Sequence, residues 1–501
     1  MNRLYTFAKK ASNYISSLSK EKKLFFLSLT FLCLTYFVPN NKFFLIEVLL
    51  FVTGLFLIWR NLLLALLSCY ILLIPFSVGK GIEFLLIPAE YINPLRIREM
   101  AVPYTIFFTF TMLNLLQAAL FYLYFRNEII SKGIKPSHRR DFADNLLVLF
   151  IITNIVSGIA SNIPLLSLLL TIQIIGYLFV YHLVRYYGLK TWLQKTFPIF
   201  ASSFCAFEGF WTVLQLASRG PLKKYIENIP DLNTSGFLVH TANESSTYLR
   251  MQGTFNHPND LGIAMATMLP IVFYYSVSKY SSSFGKTAAA FGSMGGFVAL
   301  VASGSRASWI VFILAIIFLF SIKTIRLSWD ITPLIKKSYR IFIYLFLAIF
   351  PFVIVPRLTQ LSKTFSYDGG ASFRTDLITK SIFVALQHPL GIGLGVFPQV
   401  LFIDIGGFTS HPTQPHNLIL QILVASGFIG MFSFLGFIYL KIRKAYLFLG
   451  TKIAYASQVR IVGFISLSAY LFLSMLYPIL TEQPVFGLLW ILLLVIEPEK
   501  K

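Results

Sequence analysis

The sequence predicts an all-α, polytopic integral membrane protein: a helical bundle of about 12–14 transmembrane helices with a long extracytoplasmic loop that contains an amphipathic helix. Three observations predict it. Hydrophobic residues make up 56% of the 501 and charged residues only 12%, about half the charged share of an ordinary soluble domain. The apolar residues are gathered into blocks close to the ~20 residues that cross a hydrocarbon core. Lysine and arginine fall between those blocks, and they do so unevenly.

In chain order the blocks are 24–38, 43–59, 61–78, 101–125, 146–160, 163–184, 197–217, 259–278, 287–303, 307–322, 341–356, 416–440, 459–477 and 482–496. Residues 1–23 are polar and basic, and the block after them runs on into further blocks. The first block therefore reads as a span rather than a cleaved signal. With the N-terminus cytoplasmic and the sides alternating, 28 Lys and Arg fall inside and 13 outside, with Arg460 at a helix start. The inside segments are also the shorter in total, so the basic residues mark the cytoplasmic face over the whole chain. The tracts Arg126 to Arg140 and Lys323 to Arg340 are its strongest anchors. The net charge of +22 is thereby assigned to a face beside anionic lipid, and nucleic acid is not needed as a partner. Cys33, Cys69 and Cys205 all lie inside apolar blocks, so they suggest packing and no disulfide or zinc framework.

Two connections are long, 218–258 and 357–415, and a third, 79–100, is intermediate. All three fall outside. Long loops in a compact protein are usually functional. Within 357–415, Phe373, Leu377, Ile378, Ile382, Ala385 and Leu386 recur at helical spacing. Ser372 is placed to cap this helix and His388-Pro389 to end it. Such a helix lies on the outer membrane surface or folds over a cavity. Gly391-Ile-Gly-Leu-Gly395 follows, a run that lets backbone come close to a neighbour.

Several chemistries are missing. Phe284-Gly-Lys-Thr287 lacks the first glycine of a P-loop, no Asp-x-Asp pair offers a metal-held nucleotide sugar, and no Gly-x-Ser-x-Gly is present. His240, His257, His388, His411 and His416 sit in or beside outer loops, but without a recognised metal-ligand spacing. His416 stands at the outer start of a long span, where the positive end of a helix favours the neutral imidazole that a general base needs; the bland reading is a capping or interfacial histidine. Arg219, Arg250, Arg306 and Arg374 also face outward near span ends. Guanidinium groups bind phosphate oxygens in pairs, whereas the bland reading is snorkelling toward headgroups. Gly253-Thr-Phe-Asn-His-Pro-Asn-Asp260 brings Asn256, His257, Asn259 and Asp260 to the mouth of a span. Glu208 lies mid-block, where a carboxylate is costly; it pairs with an arginine or marks a transport path.

Four stretches in this order resemble the O-antigen ligase and O-antigen polymerase superfamily of membrane glycosyltransferases. They are Arg250-Met-Gln-Gly-Thr-Phe-Asn-His-Pro-Asn259, Ser303-Gly-Ser-Arg-Ala-Ser308, Ser372-Phe-Arg-Thr through His388-Pro-Leu-Gly-Ile-Gly-Leu-Gly395, and His416-Asn417 followed by Gly427-Phe-Ile-Gly430. The resemblance covers residues 250–430, and Asp260 departs from its usual apolar residue. It implies a glycan donor on a polyprenyl diphosphate, an acceptor hydroxyl on a glycan, lipid or protein, and no metal or other cofactor. It assigns catalysis to His416, Arg306 and Arg374, and substrate binding to Arg250, Asn259 and Asn417. The organisation it implies is a basic cytoplasmic N-terminus (1–23), an N-terminal transmembrane bundle with an outer loop (24–249), a ligase-like core (250–440) and C-terminal transmembrane helices (441–501). The alternative is a transporter or flippase for a lipid-linked or amphipathic solute, favoured by Glu208 and the number of spans.

Overall fold

The computed structural model describes residues 18–74, 79–85, 105–130, 141–222, 238–239, 248–255, 257–322, 370–397, 402–405, 408–412, 415–447, 455–477, 479–480 and 483–498. The helices are α1 (Lys20–Leu34), α2 (Asn41–Trp59), α3 (Leu62–Leu73), α4 (Met112–Tyr124), α5 (Phe142–Ile159), α6 (Pro164–Tyr186), α7 (Lys190–Ser218), α8 (Pro258–Val277), α9 (Ser283–Ala302), α10 (Arg306–Ser321), α11 (Gly370–Gln387), α12 (Leu418–Leu447), α13 (Tyr455–Ser474) and α14 (Gln483–Ile496). Each of the expected apolar blocks overlaps one of these helices except 341–356, which lies outside the described residues, and 101–125 does so only in its second half. Among the described residues, seven helices are long and apolar enough to cross a membrane, and four apolar helices are shorter. The chain is an all-α integral membrane protein.

Polar caps explain why the helices begin where they do. Asn40 accepts from Lys42 N at 3.0 Å, Asn61 from Leu64 N at 3.2 Å and Ser282 from Gly285 N at 3.0 Å. Each cap satisfies amides that a helix start leaves open.

One expected span is corrected. The block 101–125 divides, because Thr105–Thr111 is a strand, β2, paired antiparallel with β1 (Gly79–Leu85). Thr-Ile-Phe-Phe-Thr-Phe-Thr is rich in β-branched and aromatic residues, and helix starts only at Met112. Two further short pairs, β3 (Leu238–Val239) with β4 (Tyr248–Leu249) and β5 (Phe402–Ile405) with β6 (Phe408–Pro412), fall in the long connections.

The chain folds as two compact units, Met1–Phe76 with Thr191–Ile343, and Ser77–Lys190 with Tyr344–Lys501. In the first unit α8 is buried almost throughout and packs on α9 and α10. Gly209 of α7 meets the backbone of Gly295 in α9, and Gly292 meets that of Ser202, so small residues let these two helices cross closely. The outward side of α10 carries Ile310, Ile313, Leu314, Ile317 and Phe318, all exposed, as lipid-facing residues are.

In the second unit α5 runs along α12, and one end of the unit is closed by charge. Arg185 of α6 bonds Asp144 and lies 3.0 Å from Glu497, while Lys190 lies 3.1 Å from Glu497. Lys441 of α12 lies 3.2 Å from Asp141. Asp141 and Asp144 also cap α5 reciprocally, each side chain accepting from the other's amide at 3.0–3.1 Å. These residues come from segments that the alternation of spans assigns to one side. Burial raises the carboxyl of Asp141, but Lys441, the Asp144 amide and Arg185 outweigh it and hold it well below the ordinary carboxylate range.

Arg185 is buried to 2% side-chain exposure. Arg185→Met should cost about 3–5 kcal/mol, because it leaves buried carboxylates uncompensated; the melting temperature in detergent reads this. Since the folded pKa of Asp141 is lowered, its contribution is complete above the ordinary value of about 3.9 and is lost as pH falls through the folded value. The melting-temperature gap between wild type and Asp141→Asn should therefore be largest near neutrality and shrink below about pH 4.

Candidate functional site

In the first unit the motif residues lie on a non-helical strap, 250–255, that is threaded into the protein. Met251, Gln252, Thr254 and Phe255 are all buried. Buried backbone of this kind needs partners for its amides and carbonyls, and α7 supplies several of them from one face. Gln215 accepts from Gly253 N at 3.0 Å and donates to Gly253 O at 2.9 Å. Two turns earlier on the helix, the Glu208 carboxylate accepts from Thr254 N at 3.2 Å and from the Thr254 hydroxyl. Met251 N donates to Ala302 O at 2.9 Å, at the end of α9. Gly253 has φ 62°, and a Cβ there would run into Glu208 Oε2. Only glycine fits both demands.

This strap brings two of the sequence motifs together. Arg250 Nε donates to Ser303 O at 2.9 Å, and its Nη2 donates to Asn259 Oδ1 at 2.5 Å. Asn259 sits in the first turn of α8, after Pro258 and the His257 cap, whose Nδ1 accepts from Asn259 N at 3.0 Å. Ser303 opens the turn that leads through Gly304, φ 62°, to Arg306, the first residue of α10. Ser305 and Ser308 bond each other at 2.9 Å, and both lie against Gly262 of α8. Arg306 is half-buried. A guanidinium at the positive end of a helix is a setting that suits an anion. Arg250 and Asn259 are thus joined to each other and to the backbone three residues before Arg306.

Glu208 receives a structural account that the sequence did not supply. It is fully buried and engaged by Thr254. The feature that favoured a transport path is a clamp on the strap. Gln215, its companion, was missed altogether; its spacing of seven from Glu208 places both on one helix face.

In the second unit α11 begins at Gly370, two residues before the expected cap Ser372. Arg374 lies in its first turns; the side chain of Arg374 is outside the described residues, as is Asn256 in the first unit. After α11, His388 N donates to Val384 O at 2.9 Å and Gly391 N to His388 O at 2.8 Å. The glycine run then inserts into a break in α12, where Gly427 leaves helical geometry at φ 70°, ψ −173°. Ile392 N donates to Val424 O at 2.9 Å, Gly393 N to Ala425 O at 3.0 Å, and Phe428 N to Pro389 O at 3.1 Å. Ser157 of α5 adds a bond to Ala425 O at 2.6 Å. Side chains at Gly391 or Gly427 would strike the opposing backbone.

His416 is half-buried and lies just before α12. Asn417 fixes the start of that helix: its Oδ1 accepts from Ile419 N at 2.9 Å and Leu420 N at 3.2 Å, and its Nδ2 donates to Met475 O at 3.1 Å. Gln421, one turn on, accepts from Leu480 N at 2.9 Å. The side chain of Asn417 is therefore spent on capping and on the 475–480 segment, which sets the direction of the neighbouring His416 backbone. Of the other loop histidines, His388 is exposed, His411 lies in β6, and His240 is outside the described residues. Among the described residues no group of three or more His, Cys, Asp or Glu is arranged to hold a metal ion.

The family model described as O-antigen ligase matches residues 291–435. The match contains Arg306, Arg374, His416 and Asn417, and it shows the resemblance to the O-antigen ligase and polymerase superfamily over that segment. Arg250, Asn259 and Glu208 lie before it. No curated protein matches the chain.

Thr254→Val removes the hydroxyl that meets a buried carboxylate and should cost about 1–3 kcal/mol. Gly253→Ala should cost more than about 1 kcal/mol, since φ is positive and the site is filled. Asn417→Ala, which loses a helix cap, should cost about 1 kcal/mol. Thermal unfolding of each variant in detergent gives the ranking.

Proposed function

Because residues 291–435 match the O-antigen ligase family, we propose that this chain is a membrane glycosyltransferase of surface polysaccharide assembly. It transfers or polymerises a glycan from a polyprenyl diphosphate carrier, undecaprenyl diphosphate, onto an acceptor hydroxyl of a glycan, lipid or protein. The reaction takes place on the outer face of the cytoplasmic membrane, with the N-terminus inside. The observation that carries this reading is the family match itself, which spans Arg306, Arg374 and His416. The preformed cap beside His416 supports it, as does the setting of Arg306 at a helix N-terminus.

The chemistry follows from those residue types. The acceptor oxygen attacks the anomeric carbon of the donor sugar, and the bond from that carbon to the diphosphate oxygen breaks. A single displacement of this kind inverts the anomeric configuration. His416 takes the hydroxyl proton or orients the hydroxyl. The diphosphate leaves with the bonding electron pair, and Arg306 and Arg374 hold its negative charge, with Arg250 and Asn259 as further binding residues. Neither step calls for a metal or a nucleotide. The transporter reading rested on the number of spans and on Glu208, which Thr254 engages.

His416→Ala should lower transfer at least ~100-fold, the usual worth of a positioned base, and leave the protein folded and inserted. Arg306→Lys should not restore the activity lost in Arg306→Ala, because an ammonium lacks the paired donors. The assay is release of polyprenyl diphosphate by purified protein given a synthetic polyprenyl diphosphate glycan and an acceptor. Undiminished release by His416→Ala sinks the mechanism, and movement of the donor without release by wild type points to a flippase. In a deletion strain, shortened chains indicate a polymerase, and intact polymer left on its carrier indicates a ligase.

A further inference from the structure

The helix α11 has three faces where the sequence suggested two. Leu377, Ser381, Val384 and Ala385 are buried, and α11 packs on α12. Ile378, Ile382, Phe383 and Leu386, with Leu390 just beyond the helix, form a second, largely apolar row at 44–65% exposure; Thr375 and Thr379 stand exposed within it, the Thr379 hydroxyl donating to Thr375 O at 3.1 Å. Asp376, Lys380 and Gln387 are exposed along the remaining edge. A helix between protein and water needs one apolar face. A second row dominated by large apolar side chains calls for an apolar surrounding.

Depth along the unit identifies that surrounding. The turn after α11 is hydrogen-bonded to Val424, Ala425 and Phe428. The ion cluster at the other end of the unit contains Lys441. From Lys441 back to Phe428, the first residue past the break at Gly427, the helical rise is about 20 Å, against a hydrocarbon core of ~30 Å. A buried charge cluster with solvent-exposed Lys444 at its rim (38% exposed) marks one membrane boundary. The turn at 389–393, bonded across that break, therefore sits beyond the bilayer midplane, in the opposite leaflet. The turn between α5 and α6 reaches the same level: Ser157 bonds Ala425 O, and Ser161 and Ser167 lie against Gly393. The exposed residues of α12 beyond its break, Ile429 and Phe432, carry the apolar surface on into the span.

We propose that α11 is seated in the lipid leaflet at the end opposite the ion cluster, with Ile378, Ile382, Phe383, Leu386 and Leu390 among acyl chains and Asp376, Lys380 and Gln387 in the headgroup and water layer. The partner of this surface is the bilayer. One consequence rests on the proposed glycan transfer: Arg374, one helical turn before Ile378, is carried on the same seated helix. The seating itself is independent of that reading.

The test uses the full chain with its three cysteines replaced, in phosphatidylethanolamine and phosphatidylglycerol vesicles. Single nitroxide labels are placed through Ile378→Cys, Ile382→Cys, Leu386→Cys and Lys380→Cys, with Ile313→Cys on α10 as the lipid-facing control. The first three should match the control, with an oxygen-to-nickel-chelate collision ratio several-fold above that of the Lys380 position. A photoactivatable phospholipid, which needs no substitution, should crosslink wild type between Ile378 and Leu390. High nickel access at the three positions, or shielding from both probes by a covering protein segment, overturns the proposal, as does absence of the crosslink. A chain inactive in glycan transfer would leave each of these expectations unchanged.

Discussion

A backbone amide or carbonyl that is shut away from water must find a partner, and in a chain this apolar water is scarce over most of its length. Helices meet the demand internally. The two motif-bearing straps, 250–255 and 389–393, do not, and the architecture around them is arranged to answer for their backbone groups. In the first unit the answer comes from side chains, a carboxylate and a carboxamide two turns apart on α7. In the second it comes from another break: α12 opens at Gly427, and the carbonyls and amide freed there are the ones the glycine run requires. Backbone groups of each strap thereby find partners elsewhere in the protein, as those of a helix find them internally.

Charge and side-chain size finish what the straps begin. The ion cluster of Arg185, Asp141, Asp144, Lys190, Lys441 and Glu497 ties α5, α6, α12, Lys190 and the segment after α14 together at one end of the second unit. A buried network of this sort is weak as net stabilisation, and costly to break by removing one member. It acts as a register device, since α5, α6 and α12 match charges in one axial alignment. In the first unit, where lipid offers no hydrophobic drive between helices, close approach is obtained with Gly209, Gly292 and Gly295.

For function, the division of labour is clear. Positions that touch a substrate in the proposed reaction, Arg306, Arg374 and His416, sit at the first turns of helices or just before one. Positions that hold backbone, Glu208, Gln215, Thr254 and Asn417, sit on the elements beside them. A charged donor gains from helix ends whose own dipoles favour anions. Such ends serve only if neighbouring groups keep them from fraying, and that is the task Asn417 performs for α12.

The sequence by itself determined most of the helical spans and the order of the four motifs. Each is a local property: a span is legible because hydrocarbon thickness sets its length, and a motif because its residues are consecutive. The exception was 101–125, where β-branched and aromatic residues satisfied an apolar count while favouring a strand. The sequence also placed Arg250 and Asn259 near a span mouth, but it did not show that they bond each other and Ser303. Only the tertiary structure decided that Glu208 meets Thr254, that Arg185 meets Glu497, that Asn417 is a cap, and that Leu377 is buried on α11 while Ile378 is exposed. These partners are far apart in the chain, or differ only in which neighbour covers them, and periodicity carries no information about either. Chain packing chooses among sites that local patterns leave equivalent, because a hydrogen bond or an ion pair is worth most where folding has already removed the water.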